Sequence, residues 1–244
     1  MRPIRRGEPQ IRKSFINYKD ARDDLIINIG SFCSYCERPI TSSWEIEHVQ
    51  PKSLTEYSHL TNEWTNFLFA CKTCNAIKSN KNVIPDTLLL PDRDNTFLAF
   101  RYIHDGMVSL NDDLQDELKI KASNTLNLMG LDRYEKDIKN PETGETVVNN
   151  RRSQRMVAWL QAIEALEDLL NAPNSHTFRK TVIYLAKTTG FFSIWMNVFK
   201  DDLEMRNLLI NAFEGTRASG CFNEHGEAIT PAPNPDKLPS GGKL

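Results

Sequence analysis

Four of the five cysteines fall in two tight pairs, Cys33/Cys36 and Cys71/Cys74, with 34 residues between the pairs. Each Cys-x-x-Cys turn brings two sulfurs to the same point, and two such turns can supply four thiolates to one tetrahedral zinc. Four sulfurs leave no open coordination position, so the spacing predicts a structural Zn²⁺ and not a catalytic one. Four thiolates around Zn²⁺ leave a local charge of about −2, to be balanced by Lys72, Arg38 and backbone N–H groups. An odd cysteine count, low for 244 residues, excludes a disulfide scaffold. Cys221 stands alone near the C-terminus and reads as a spare thiol.

Between and across the knuckles lies an ordered set of polar residues. Trp44-Glu45-Ile46-Glu47-His48-Val49-Gln50-Pro51 is followed, 18 residues past His48, by Asn66. Nine residues further, overlapping the second knuckle, comes Cys74-Asn75-Ala76-Ile77-Lys78. Glu-His on a strand, then Asn, then Cys-x-x-Cys-Asn-x-x-Lys with eight residues between the asparagines, resembles the HNH endonucleases. That resemblance implies a ββα-metal finger, in which a two-stranded ribbon and a helix grip one catalytic divalent cation.

Carried over residue by residue, His48 matches the general base that deprotonates the attacking water. Glu47 matches the acidic metal ligand beside it, a position often held by Asp. Asn66 matches the middle position, which fixes the loop carrying the base. Asn75 matches the last position, which completes the metal site from the start of the helix and is Asn here instead of His. Two oxygen ligands suit a hard cation, Mg²⁺ or Mn²⁺. Phosphodiester cleavage needs an activated water and charge neutralisation at the transition state, and an imidazole with a pKa near ~6.5 can take the proton at cellular pH. Lys78, one turn past Asn75, is a candidate for holding a neighbouring phosphate, with a solvated helix lysine as the alternative. His59, His104, His176 and His225 have no comparable context and read as surface or structural histidines.

Beyond the finger, the opening Met-Arg-x-Ile-x-Arg, the Cys-Ser-Tyr-Cys-Glu-Arg knuckle, Ile46-Glu47-His48, and Thr125-Leu126-Asn127-Leu128 followed by Arg133 resemble the retron- and Septu-associated HNH proteins. These are nuclease subunits of bacterial anti-phage systems. The resemblance implies a nucleic-acid substrate, DNA before RNA, and an SMC/ABC-like ATPase partner. A different reading of the same residues is a non-catalytic zinc module that binds nucleic acid or a partner protein. Intact Glu47, His48, Asn66 and Asn75 favour the enzyme, because a scaffold needs only the cysteines.

The elements that must position these residues can be traced along the chain. Leu25, Ile26 and Ile29 mark a short helix over 18–29 that stops at Gly30. Residues 31–82 are turn-rich and contain the finger, and Pro85 and Pro91 mark its far boundary. Residues 96–110 read as a β-hairpin around Asp105-Gly106. Leu114, Leu118, Ala122, Thr125 and Leu128 follow helical periodicity to Gly130. Residues 138–150 read as a polar loop. Helices follow over 151–170, halted near Pro173, then from Ser175 to about Thr188, and on to about residue 213. Phe191, Phe192, Trp195 and Phe199 form an aromatic stripe read as core. Residues 218–244, with four prolines, read as a disordered tail. The expected organisation is thus α+β: a basic N-terminal arm and helix (1–30), a ββα-metal finger stabilised by a four-cysteine zinc site (31–82), a β-hairpin plus a mostly α-helical region (83–217), and the tail.

The charge balance is 30 Lys+Arg against 32 Asp+Glu, a formal net charge of −2. Residues 1–30 hold seven bases and four acids, whereas 83–150 hold thirteen acids and seven bases. The basic arm is a candidate for tracking a phosphate backbone. With 40% hydrophobic and 25% charged residues, the composition excludes collagen-like, coiled-coil and wholly disordered chains. No run approaches the ~18 apolar residues of a membrane span, and no signal peptide is visible, so the expected setting is cytoplasmic.

Overall fold

The computed structural model describes residues 1–42, 44–134, 136–172 and 175–244. At its centre, strand β1 (Glu45–His48) pairs antiparallel with β2 (Phe67–Ala70), placing Glu47 opposite Leu68 and His48 opposite Phe67. The apolar run Phe67-Leu68-Phe69-Ala70 is buried on both faces, so β2 is the inner strand of the ribbon. Helix α2 (Lys72–Lys78) starts directly after Cys71 and closes a ββα unit. On the other side of β1, a 3₁₀ turn (Tyr18–Ala21) runs into α1 (Arg22–Ile29); Asn17 caps the turn by accepting from the Lys19 N–H. Gly30, at φ 75°, ends α1 where a residue with a Cβ would be strained.

Strands β3 (Phe100–Tyr102) and β4 (Val108–Leu110) form the expected hairpin around Asp105-Gly106. The first strand is shorter than the sequence suggested, and residues 96–99 are turns. Their neighbourhood is held by tertiary bonds instead: Thr96 Oγ1 donates to the Met1 carbonyl at 3.0 Å, and Asn95 Nδ2 donates to the carbonyls of Cys221 (2.9 Å) and Ile229 (2.8 Å). Helix α3 (Asp116–Met129) ends at Gly130 in the left-handed conformation. The stretch expected to be a polar loop contains a second, small hairpin, β5 (Ile138–Lys139) with β6 (Thr146–Val147).

Four α-helices follow among the described residues: α4 (Arg151–Asn171), α5 (His176–Thr189), α6 (Phe192–Val198) and α7 (Leu203–Ala212). Ser175 caps α5 by accepting from the Phe178 N–H, and Asp202 caps α7 by accepting from the Met205 N–H. The stop assigned to Pro173 lies outside the described residues. One buried cluster joins the finger, α1, the β3–β4 hairpin and α3. A second joins α4–α7, with Phe192, Trp195, Phe199 and Phe213 at its centre, so the aromatic stripe is core. Exposed on α4 are Met156, Val157, Leu160 and Ile163, an apolar stripe at helical spacing.

Glu37 joins the finger to the helical body. Its buried carboxylate accepts from Tyr102 Oη (3.0 Å), Ser193 Oγ (2.6 Å) and the Ser193 N–H (2.8 Å), and pairs with the Met1 amino group at 3.2 Å. Gly190 permits the contact: a Cβ there would lie 2.7 Å from the Glu37 carbonyl oxygen.

Two further expectations are corrected. Much of the basic arm is not free to meet phosphate, because its first residues are threaded through the core. Arg2 donates to the carbonyls of Ile29 (2.7 Å) and Glu214 (2.5 Å). Arg6 donates to the Phe67 carbonyl at 2.6 Å and pairs with Asp92 at 3.2 Å. Residues 218–244 do not hang off as a disordered tail either. Phe222, Ala232 and Leu244 are buried, and the Leu244 carbonyl accepts from the backbone N–H groups of Asn95 (3.0 Å) and Ala232 (2.9 Å). Pro235 and Pro239 sit in turns of this packed segment, a use that composition does not separate from disorder. No helix among the described residues is long and apolar enough to cross a membrane.

Candidate functional site

The two knuckles converge. The Sγ atoms of Cys33, Cys36, Cys71 and Cys74 lie within 4.8 Å of one another, all four buried and none in a disulfide. Tetrahedral Zn–S bonds of ~2.3 Å place sulfurs about 3.8 Å apart, and Cys36 Sγ to Cys71 Sγ is 3.6 Å. The cluster therefore has the donor set and spacing of a closed zinc site. Of the two side chains expected to balance its charge, Arg38 does so. Burial works against the Arg38 charge, but the cysteine cluster outweighs it and raises the pKa. Lys72 lines a groove instead. Arg151 takes its place, with Nη1 3.5 Å from Cys74 Sγ and further bonds to the Met129 (3.0 Å) and Gly130 (2.5 Å) carbonyls. Sequence reasoning missed Arg151. The signal available was an Arg-Arg pair opening a helix, against the sign the helix dipole favours.

Glu47, His48 and Asn75 open onto one groove of about 490 Å³. β1 delivers the first two, and α2, launched from the second knuckle, delivers the third. Asn66 sits behind them at the β-ribbon's turn. Its Oδ1 accepts from the Gln50 N–H at 2.8 Å, and its Nδ2 donates to the carbonyls of Gln50 (2.9 Å) and Leu60 (3.3 Å). Asn66 thus pins the backbone on leaving His48, and it touches the groove only through that backbone.

His48 is buried at 6% exposure and held on three sides. Tyr18 and Phe67 meet its ring edge-on at centroid distances of 4.8 and 5.3 Å. Its Nε2 lies 2.9 Å from the Thr61 carbonyl oxygen. A carbonyl only accepts, so Nε2 carries the hydrogen in the neutral ring and Nδ1 keeps the lone pair. Burial lowers the pKa of His48, the Thr61 bond opposes that shift, and the Lys52 and Lys78 charges reinforce it. The ring is therefore neutral and basic at Nδ1 at ordinary pH.

Glu47, 2% exposed, accepts from Tyr35 Oη at 3.3 Å and pairs with Lys78 Nζ at 2.7 Å, both on Oε1. Burial raises the Glu47 pKa and Lys78 pulls it back. The sequence leaves Lys78 as either a candidate for holding a neighbouring phosphate or a solvated helix lysine. It is instead turned inward at 2% exposure, between Glu47 and the His48 carbonyl, to which it donates at 2.8 Å. His59, His104, His176 and His225 are all exposed and outside the groove.

The groove has walls that sequence reasoning did not identify. On the β1 side stand Tyr18, Arg22, Trp44 and Lys52; on the α2 side stands the β5–β6 hairpin with Glu142 and Glu145. Neither wall carries a motif, and the hairpin lies more than 60 residues beyond the start of α2, so only the tertiary fold brings it to the site.

Residues 33–81 match the family model for HNH endonuclease. The match covers the zinc cluster, β1, β2 and α2, and leaves the arm, the hairpins and the helical body outside it. No curated protein matches the chain.

Proposed function

We propose that the protein is a metal-dependent endonuclease hydrolysing nucleic-acid phosphodiester bonds at the groove of Glu47, His48 and Asn75. The observation that supports this most is the hydrogen-bond geometry at His48. A neutral ring locked through Nε2 keeps Nδ1 free for a water, in a groove that also holds a carboxylate and an amide. A non-catalytic zinc module would need none of this arrangement.

In this reading, His48 Nδ1 takes the proton of the water that attacks phosphorus. Asn66 holds the backbone that aims the ring. Glu47, through the oxygen not engaged by Lys78, and the Asn75 side-chain oxygen would hold Mg²⁺ or Mn²⁺, whose preference for hard oxygen donors they fit. When bound, the cation neutralises phosphate charge and stabilises the leaving oxygen. The zinc cluster fixes α2 against the ribbon and takes no part in the chemistry.

The wider reading is an effector subunit of an anti-phage complex with an SMC/ABC-like ATPase, acting on DNA. It is supported by the resemblance of the flanking motifs. The exposed apolar stripe on α4 is consistent with a protein partner, since such patches mark interaction surfaces.

A cation titration tests the catalytic reading. Asn75→Ala should shift the Mg²⁺ or Mn²⁺ dependence of cleavage to higher concentration, with recovery at high Mn²⁺. Cleavage that needs no divalent cation would refute it. Co-purification with an adjacent ATPase tests the wider reading.

A further inference from the structure

The two walls of the groove differ in balance of charge: the β1 side carries Arg22 and Lys52 against Glu45, and the α2 side carries Glu142 and Glu145 against Lys72. On the β1 side, cations are mounted on aromatic rings: Lys52 Nζ lies 3.8 Å from the Tyr18 ring centroid, and Arg22 Cζ lies 5.9 Å from that of Trp44. Tyr18 is the same ring that packs against His48, so the Lys52 ammonium is held next to the proposed base. Lys52 is exposed, unlike Lys78, which is consumed by Glu47. A basic wall of this kind, its cations steadied by aromatic rings, suits a strand whose phosphates meet Lys52 and Arg22.

On the α2 side, the β5–β6 hairpin is anchored to the helix. Ser79 Oγ lies 3.2 Å from Glu142 Oε1, and Thr73 Oγ1 donates to the Val148 carbonyl at 3.1 Å. Glu142 and Glu145 line the groove from this side. These two carboxylates outnumber Lys72 on this wall and repel a second phosphate backbone. The gap between the walls, about 490 Å³, falls in the ~300–1,000 Å³ range of small-molecule clefts and has room for a nucleotide or two.

We propose that the groove takes an unpaired nucleic-acid strand, held by the Tyr18–Lys52 and Trp44–Arg22 wall, and that the 138–147 hairpin excludes a continuous duplex. This rests on the nuclease reading for its chemistry, but the selectivity is a property of binding. Lys52 positions the phosphate next to His48. The hairpin sets strand specificity from outside the HNH segment.

The test uses full-length protein and one labelled oligonucleotide, in DNA and RNA versions, presented single-stranded, as a blunt duplex, and as a duplex with an internal unpaired loop. Fluorescence anisotropy without added divalent cation reads binding, and Mg²⁺-dependent cleavage reads activity. Single strands and looped duplexes should bind at least about 10-fold tighter than the blunt duplex, because like charges brought together at the carboxylate wall cost more than that factor. Lys52→Ala should weaken single-strand binding roughly 5-fold, as loss of one phosphate contact predicts. Glu142→Gln with Glu145→Gln, or replacement of 140–145 by Gly and Ser, should bring blunt-duplex binding up towards single-strand binding, with zinc content unchanged. Equal binding of duplex and single strand by the wild type, or a preference untouched by the hairpin variants, would overturn the proposal. Strand preference without any cleavage would refute the nuclease reading and still support the groove assignment. Preference for one sugar shows which nucleic acid the wall favours, and both outcomes satisfy the proposal.

Discussion

Lys78 Nζ lies 2.7 Å from Oε1 of Glu47, with both side chains buried, and the same ammonium donates to the carbonyl of His48. One cation thus neutralises the groove carboxylate and ties it to the backbone of the histidine next to it. Removing one partner of a buried pair leaves an uncompensated charge. Lys78→Met should therefore destabilise the fold by about 3–5 kcal/mol. Lys72→Met, exposed at the start of the same helix, should stay within about 0.5 kcal/mol. Urea unfolding of both variants checks this, and equal effects would contradict it.

The cysteine cluster should hold one Zn²⁺ per chain. Structural zinc in small modules contributes on the order of 10 kcal/mol of apparent binding energy, so Cys74→Ser should lose the metal and unfold the ββα unit. Elemental analysis with far-UV circular dichroism reads both. Cys221→Ser should keep full zinc content. Burial pushes the Cys221 thiol up to about 11, so in the native protein it should resist alkylation at neutral pH.

The pKa of His48, held below its ordinary ~6.5 chiefly by burial, sets a pH signature. The neutral ring is the competent base, so cleavage should persist as pH falls through about 6.5 and fail only below it. Stability should show the same depression. The unfolded chain binds a proton at His48 near ~6.5 and the folded chain does not until lower pH, so stability drops as pH falls between those two values and is unaffected above them. His48→Gln should flatten that part of the profile. A wild-type acid limb above about pH 6.5 would contradict the assignment of a depressed His48.

Glu37 is the joint between finger and helical body, through Tyr102 and Ser193. Glu37→Ala strands the partners of a buried carboxylate and should cost about 3–5 kcal/mol, lowering Tm without removing zinc. A Tm indistinguishable from that of the wild type would show that the two bodies do not depend on this joint.

The finger was legible because its residues are bound to their types by chemistry: thiolates in pairs for zinc, Glu-His on a strand, an amide at each of two fixed distances. The order of helices was legible from periodicity and from Gly30, Gly130 and Ser175. What was not legible depends on where side chains turn in three dimensions. Lys78 and Lys52 look alike in sequence, yet one is buried against Glu47 and the other stands exposed on Tyr18. Arg2 and Arg6 look like a basic arm until their carbonyl and Asp92 partners are seen. The 218–244 segment has the composition of a linker, and only the Asn95 and Leu244 bonds reveal it as packed structure.

Cleavage of a labelled oligonucleotide by purified, zinc-loaded wild type and His48→Ala, with and without Mg²⁺ or Mn²⁺, bears most directly on the proposed chemistry. Loss of a positioned general base is worth about 10²–10⁴-fold. The wild type should cut only with the divalent cation, and His48→Ala should lose activity on that scale while keeping zinc content, circular dichroism and oligonucleotide binding. A His48→Ala protein that cuts at the wild-type rate under matched cation would contradict His48 as the base and the groove as the site of hydrolysis.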